Sequence, residues 1–226
     1  MPLLGSAAML LSFDVEAGAI EEHDRWHTHE HLPERLSIPG FLRGTRWVAS
    51  QGGPRYMVLY EVDSLQTLAS EAYLTRLNNP TPWTRKVMPH YRSMVRGLCA
   101  VLGSFGLGQG GAAALIRFTP EHERAGPLHR WLLEEALPAV PGMSGLGSAH
   151  LLQGAQAAAM TQEQRIRGAD RGVASALIVT GYDDRAVAAC AKQLAGDVAL
   201  EGKGAADVSC STYRWSYSLA RAELDA

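Results

Sequence analysis

The 226-residue sequence predicts an α+β fold made of two tandem copies of one unit, strand, helix, strand, strand, helix, strand. Three observations carry this expectation. RWHTHEHLP, in which Arg25-Trp26 stand seven residues before Leu32-Pro33, returns as RWLLEEALP, with Arg130-Trp131 seven residues before Leu137-Pro138. A Pro-Gly pair follows each copy, at 39–40 and at 141–142. The apolar runs around the two motifs also come in the same order, as expected when a repeat is structural rather than accidental.

Each element has a local reason. AMLLSFDV (8–15) and AALIRFTP (113–120) are short apolar runs of strand type before each motif. YMVLYEVDS (56–64) and ALIVTGYDD (176–184) are the corresponding third strands. Ser64 is read as the cap of a helix carrying Leu65, Leu68, Ala72 and Leu74, and Asp184 as the cap of one carrying Val187, Cys190, Ala191 and Leu194. MVRGLCAVLGSF (94–105) and CSTYRWSYSLA (210–220) close the halves, the latter alternating around Tyr213, Trp215 and Tyr217. The glycine-rich GLGQGG (106–111) is the linker, so the repeats are 1–108 and 109–226.

That element order is the ferredoxin-like split βαβ. In 56–62, Tyr56, Val58, Tyr60 and Val62 share one face and Met57 and Leu59 the other, so both faces need cover. Helices cover one face. The matching sheet of the other half is the simplest cover for the second, giving a pseudo-symmetric α+β barrel; two separate ferredoxin-like domains pairing between chains are the alternative. The second half also inserts QGAQAAAMTQEQRIRGADRG (153–172) between its second and third strands, read as a short helix or lid, with an oligomer contact as the rival reading.

Composition narrows the function classes. A formal charge of −2, an isoelectric point near 6.4 and the lack of any long basic run argue against nucleic acid or anionic membrane as partner. Cys99, Cys190 and Cys210 have no CxxC spacing and suit a reducing compartment. The apolar start lacks a basic leader and is interrupted by Asp14 and Glu16, so it reads as a strand and the expected location is cytoplasmic. A homo-oligomer is left open.

Trp26, His31 and Pro33 in the pattern W-x4-H-x-P, followed by IPGF (38–41) and Arg46-Trp47, resemble the dimeric α+β barrel superfamily, above all its EthD-like members and related bacterial families. NPTPWTRKVMPHYRSMVRG (79–97) is similar to the stretch before the last strand in such proteins. The resemblance covers nearly all of the first half and, in the second, the order of elements with the RW, LP and PG pairs. It implies a barrel whose clefts between sheet and helices take small hydrophobic molecules. It leaves activity open, because members range from cofactor-independent monooxygenases, isomerases and cyclases to haem enzymes and proteins without known activity.

Within the repeated motif, only the first copy carries imidazoles. With the RW pairs in register, His27 falls opposite Leu132, His29 opposite Glu134 and His31 opposite Ala136. His23, His27 and His31 recur every fourth residue and form one stripe on a helix. Zinc would need a third ligand such as Glu30 or His90, and no HExxH is present, so no metal is expected. His23 and His29 are read as exposed. Pro33 is read as ending or kinking the segment, which places His31 at a helix C-terminus where the dipole favours imidazolium.

His31, assisted by His27, is therefore the candidate acid/base, with capping as its plain structural role. Trp26, Trp47, Tyr56, Tyr60, Trp83 and Arg46 are the candidate substrate-binding residues, although aromatics alternating in strands also serve as sheet packing. No haem motif, P-loop, dinucleotide fingerprint or nucleophile elbow occurs, so no cofactor is expected. The expected function is binding of a small hydrophobic or aromatic metabolite by a cofactor-independent enzyme of isomerase, cyclase or monooxygenase type; the alternative is a non-catalytic ligand-binding or accessory protein.

Overall fold

The computed structural model describes residues 3–155 and 160–224. The first half comprises β1 (Ala7–Val15), α1 (Ile20–Trp26), α2 (Leu32–Leu36), β2 (Phe41–Gln51), β3 (Tyr56–Val62), α3 (Glu71–Asn78), α4 (Pro82–Val87) and β4 (Tyr91–Gly106). The second comprises β5 (Ala112–Pro120), α5 (Ala125–Trp131), α6 (Leu137–Ala139), β6 (Leu146–Gly154), α7 (Gln162–Arg167), β7 (Ser175–Gly181), α8 (Asp184–Ala195) and β8 (Ala205–Ala220).

The fold is α+β, and all named strand pairs are antiparallel. The eight strands hydrogen-bond in the order β1-β3-β2-β8-β5-β7-β6-β4, and β4 pairs back onto β1, so the sheet closes on itself. Within each half the order is last, first, third, second strand, with the final strands β4 and β8 reaching across to β6 and β2.

Closure explains why the strands are apolar on both sides. Ala8 and Leu10 of β1, with Met57 and Leu59 of β3, point inward and meet Leu115 and Ile178 from the other half. Met9, Leu11 and Phe13, with Tyr56, Val58 and Tyr60, point outward under the helices of the first half. A separate outer layer lies under the helices of the second half. Every residue of β3 is buried, and each large apolar side chain so enclosed contributes about 1.5–3 kcal/mol relative to exposure.

The helical motif departs from expectation. Pro33 does not end the segment: α2 continues through it to Leu36. Proline lacks an N–H, and its ring crowds the carbonyl four residues back. A wide turn over 27–31 relieves this by sending the Leu32 N–H to the His27 carbonyl, five residues back. The second half repeats the device, with the Leu137 N–H on the Leu132 carbonyl just before Pro138.

The Pro-Gly pairs are not equivalent in space. Gly40 takes φ +88° directly before β2, whereas the residue that does so before β6 is Gly145, at φ +84°. Gly145 follows Gly40 by the same 105 positions that separate Arg130 from Arg25, and Gly142 instead closes a tight turn after α6. A side chain at Gly44 would place its Cβ 2.4 Å from Leu32 Cδ2, so glycine there lets α2 lie against β2.

Two caps shift by a few residues. Ser70 rather than Ser64 accepts the capping bond of α3, from the Tyr73 N–H, because 65–69 forms a separate tight turn. Asp183 rather than Asp184 caps α8, accepting from the Ala186 N–H. Of the insertion 153–172, residues 156–159 lie outside the described residues. Its helix is α7, which packs on the first half: the Gln162 N–H donates to Asn78 Oδ1 at 3.1 Å, and Ile166 joins the outer layer there. Beyond α7, the Arg96 N–H donates to the Arg171 carbonyl and the Arg171 N–H to the Met94 carbonyl, tying the insertion to β4.

Candidate functional site

The outer layer of the first half encloses a cavity of about 30 Å³ between the sheet and its helices. Met9, Leu11 and Phe13 of β1 and Val58 and Tyr60 of β3 form its floor. His27, His31 and Arg35 line it from the α1–α2 segment, Tyr73 from α3, Tyr91 and Arg96 from β4, and Glu163 and Arg167 from α7. This space holds about two water molecules, since one needs at least about 10–15 Å³.

The wide turn at 27–31 places the imidazoles. Ring centroids of His23 and His27 are 5.5 Å apart, and those of His27 and His31 5.6 Å apart. His27 Nε2 lies 3.3 Å from the Tyr60 hydroxyl, and its Nδ1 has no partner. His31 packs against Trp26 with ring centroids 4.3 Å apart and planes tilted by 34°, and its Nδ1 is likewise buried without a partner.

Burial, the largest influence, holds both imidazoles well below the usual histidine range, and the charges of Arg46 and Arg35 push the same way. They are neutral bases at neutral pH. This corrects the expected imidazolium at His31: the helix does not end there, so its dipole offers no offset to burial. His23 is also corrected. It is fully buried, with Nδ1 3.1 Å from Asp24 Oδ1, and burial lowers its pKa too, whereas His29 is exposed.

The other candidates divide sharply. Tyr60 lines the cavity beside His27. Trp26 backs His31 and fixes its own indole N–H between Glu30 at 3.1 Å and Thr84 at 3.2 Å. Tyr56 sits one ring away on His23, with its hydroxyl donating to Asp24 and its pKa pushed up to about 12, chiefly by burial. Arg46 binds the Asp24 carbonyl and Thr28 Oγ1, which anchors the turn rather than facing the cavity. Trp83 donates to Glu22 at the outer edge of α1 and does not line the space. Trp47 lies on the opposite side of the sheet, inside its closed interior, so it is core to the fold and away from the imidazoles.

Sequence reading missed Arg35, Tyr73, Arg96, Glu163 and Arg167. Arg35 is fully buried, with Nη1 3.0 Å from Glu34 and Nη2 in a short bond to Glu163 of α7. Arg167 is held by Asp170 through two bonds of 3.0 and 2.7 Å. The Arg35–Glu163 pairing joins residues 128 positions apart on different elements, and spacing alone carries no signal for it.

Among the described residues no group of three or more His, Cys, Asp or Glu side chains is placed to hold a metal ion. His90 is on the surface beside Glu16 and is not part of the cavity. Among the described residues no helix is long and apolar enough to cross a membrane. The second half has Leu132 and Ala136 where the first has His27 and His31, and Leu132 fills its apolar layer.

No known protein-family description matches the chain. No curated protein matches it. Solved structures do. An anthrone oxidase-like protein superposes with a TM-score of 0.65 at 11% identity, covering 98% of this chain and 96% of that one. A putative monooxygenase from Fusobacterium nucleatum subsp. nucleatum gives 0.59 at 8% identity, covering 96% of each chain. Chlorite dismutase from Candidatus Nitrospira defluvii gives 0.58 at 9% identity, covering 96% and 92%. Likeness at this level of identity establishes a ferredoxin-like α+β fold and nothing about activity.

Proposed function

We propose that the chain binds a small, hydrophobic or aromatic metabolite in the first-half cavity and acts as a cofactor-independent enzyme of isomerase, cyclase or monooxygenase type, with His31 as acid/base and His27 assisting. The observation that carries this reading is a pair of buried imidazoles facing one cavity, each with an unpartnered Nδ1. A neutral, desolvated imidazole takes a proton from an acidic C–H or O–H, and Tyr60 orients His27 for the same task. The names of the neighbours, anthrone oxidase-like protein and putative monooxygenase, are in keeping with an enolisable aromatic substrate.

The experiment is exchange of the acidic methylene protons of anthrone in deuterated buffer, with wild type against His31→Ala. Wild type accelerates exchange above buffer and the variant loses at least tenfold of that acceleration; equal rates refute the assignment of His31. The accessory reading is favoured by one observation, a cavity of about 30 Å³ that must open before any metabolite enters. Tight binding without exchange, unchanged by His31→Ala, would select it.

The architecture belongs to the same proposal. Residues 1–108 and 109–226 are read as a tandem duplication forming a pseudo-symmetric barrel that resembles EthD-like proteins. The recurring wide turn before Leu-Pro and the glycines 40 and 145 support this. Duplication would let one half keep imidazoles at the turn and the other serve as wall, an asymmetry closed to a symmetric homodimer. A cytoplasmic location and a homo-oligomer complete the proposal; size-exclusion chromatography with light scattering tests the latter.

A further inference from the structure

The charges around the cavity are unevenly shared. Arg35, Arg96 and Arg167 line it together with one carboxylate, Glu163, while both lining histidines are neutral. Arg167 has Asp170 and Arg35 has Glu34 as further partners. Arg96 has none of this kind: its guanidinium donates to the Tyr73 hydroxyl at 3.1 Å and to Met9 sulfur at 3.4 Å, and among the described residues no carboxylate lies within ion-pair distance. A shielded guanidinium with two neutral acceptors for its five N–H donors suits an anionic oxygen.

Glu163 is the carboxylate that lines the cavity, and it is bonded to Arg35. It is 2% exposed, sits 128 positions from Arg35 in the chain, and is delivered by the insertion of the second half. Its charge acts on Arg96 and Glu34 as well as on Arg35. The remaining space is far below the several hundred Å³ of a ligand site, and the side chains that fill it, Phe13, Tyr60 and Tyr91 among them, are flat rings.

The geometry points to Glu163 as a built-in stand-in for the ligand: the cavity takes a flat aromatic molecule carrying an ionised oxygen, carboxylate or enolate, which displaces Glu163 from Arg35, engages Arg96, and moves α7 outward as it enters. This rests on the reading of the cavity as a ligand site. The displaced carboxylate reaches solvent with α7, which is held at its start by the Gln162–Asn78 bond and, four residues beyond its end, by the Arg171 backbone bonds.

The test is calorimetric titration of the full chain with 2-naphthoate and with 2-naphthamide, its neutral counterpart, using wild type, Glu163→Gln, Arg96→Met and Arg96→Lys. Wild type favours naphthoate at least tenfold. Glu163→Gln removes the competing charge and tightens naphthoate at least fivefold, leaving naphthamide unchanged. Arg96→Met weakens naphthoate at least tenfold and Arg96→Lys recovers part of it; if the methionine variant does not fold, the lysine and glutamine variants decide. Amide hydrogen exchange over 162–167 accelerates with naphthoate and not with naphthamide. Equal binding of both compounds, indifferent to Glu163→Gln, overturns the anion seat and leaves the ligand cavity standing. No binding of either compound to wild type or Glu163→Gln overturns both readings.

Discussion

Lowering the pH through the histidine range destabilises this protein by an amount that His150 makes calculable. His150 lies within the closed sheet, 2% exposed, with Nδ1 2.9 Å from Ser104 Oγ and Nε2 3.1 Å from Ser148 Oγ. Burial, aided by the charge of Arg43, lowers its pKa from 6.5 to about 4. A group whose folded pKa is depressed below its unfolded value binds more protons when unfolded, so stability is present above pH 6.5 and is lost as pH falls toward 4. At about 1.4 kcal/mol per unit of pKa, the loss between pH 7.5 and 4.5 is roughly 2.5 kcal/mol from this residue alone. His27 and His31 act with the same sign, whereas Glu34 and Glu61, whose pKa values burial raises, act with the opposite one. The difference between wild type and His150→Gln isolates the term. Urea unfolding at half-unit pH steps should show the wild-type advantage shrinking by roughly 2.5 kcal/mol from pH 7.5 to 4.5. A difference that stays flat within about 0.5 kcal/mol refutes the buried neutral state of His150.

Other perturbations probe separate parts of the account. Glu163→Ala leaves the Arg35 guanidinium short of a buried partner and should cost about 3–5 kcal/mol in denaturant unfolding, with Glu163→Gln costing less. Gly44→Val drives a side chain into Leu32 and should cost about 1–3 kcal/mol, read as a lowered Tm. Tyr60→Phe removes the hydroxyl beside His27 and should slow any His-dependent exchange severalfold with Tm nearly unchanged. Trp47→Phe should do the reverse, lowering Tm and leaving exchange alone, because the sheet stands between it and the imidazoles.

Strand positions were readable because the period of two exposes itself in runs such as Tyr56 to Val62, apolar on both faces. What such a run cannot tell is which face looks inward. Trp47 and Tyr60 both read as pocket aromatics, yet one points into the closed interior and the other under the helices. Pro33 was legible only as a breaker. The turn that accommodates it depends on a backbone bond from Leu32 to His27, a geometry with no residue-type signature, and so the burial of His23 and the protonation of His31 were misjudged with it. Histidine identity singled out the first half, where His27 and His31 of the turn line the cavity. Arg35, Arg96 and Glu163 were invisible for a different reason: they meet through α7, and nothing local to the insertion indicates that it folds over the other half.

The central claim is a neutral imidazole pair facing the first-half cavity. Nitrogen-15 spectra of histidine-labelled wild type, assigned by His27→Gln and His31→Ala, test it most directly across pH 8 to 5.5. The account predicts that both rings keep one protonated and one unprotonated nitrogen throughout, with no titration in that range. Two protonated nitrogens on His31 at pH 7 would contradict it.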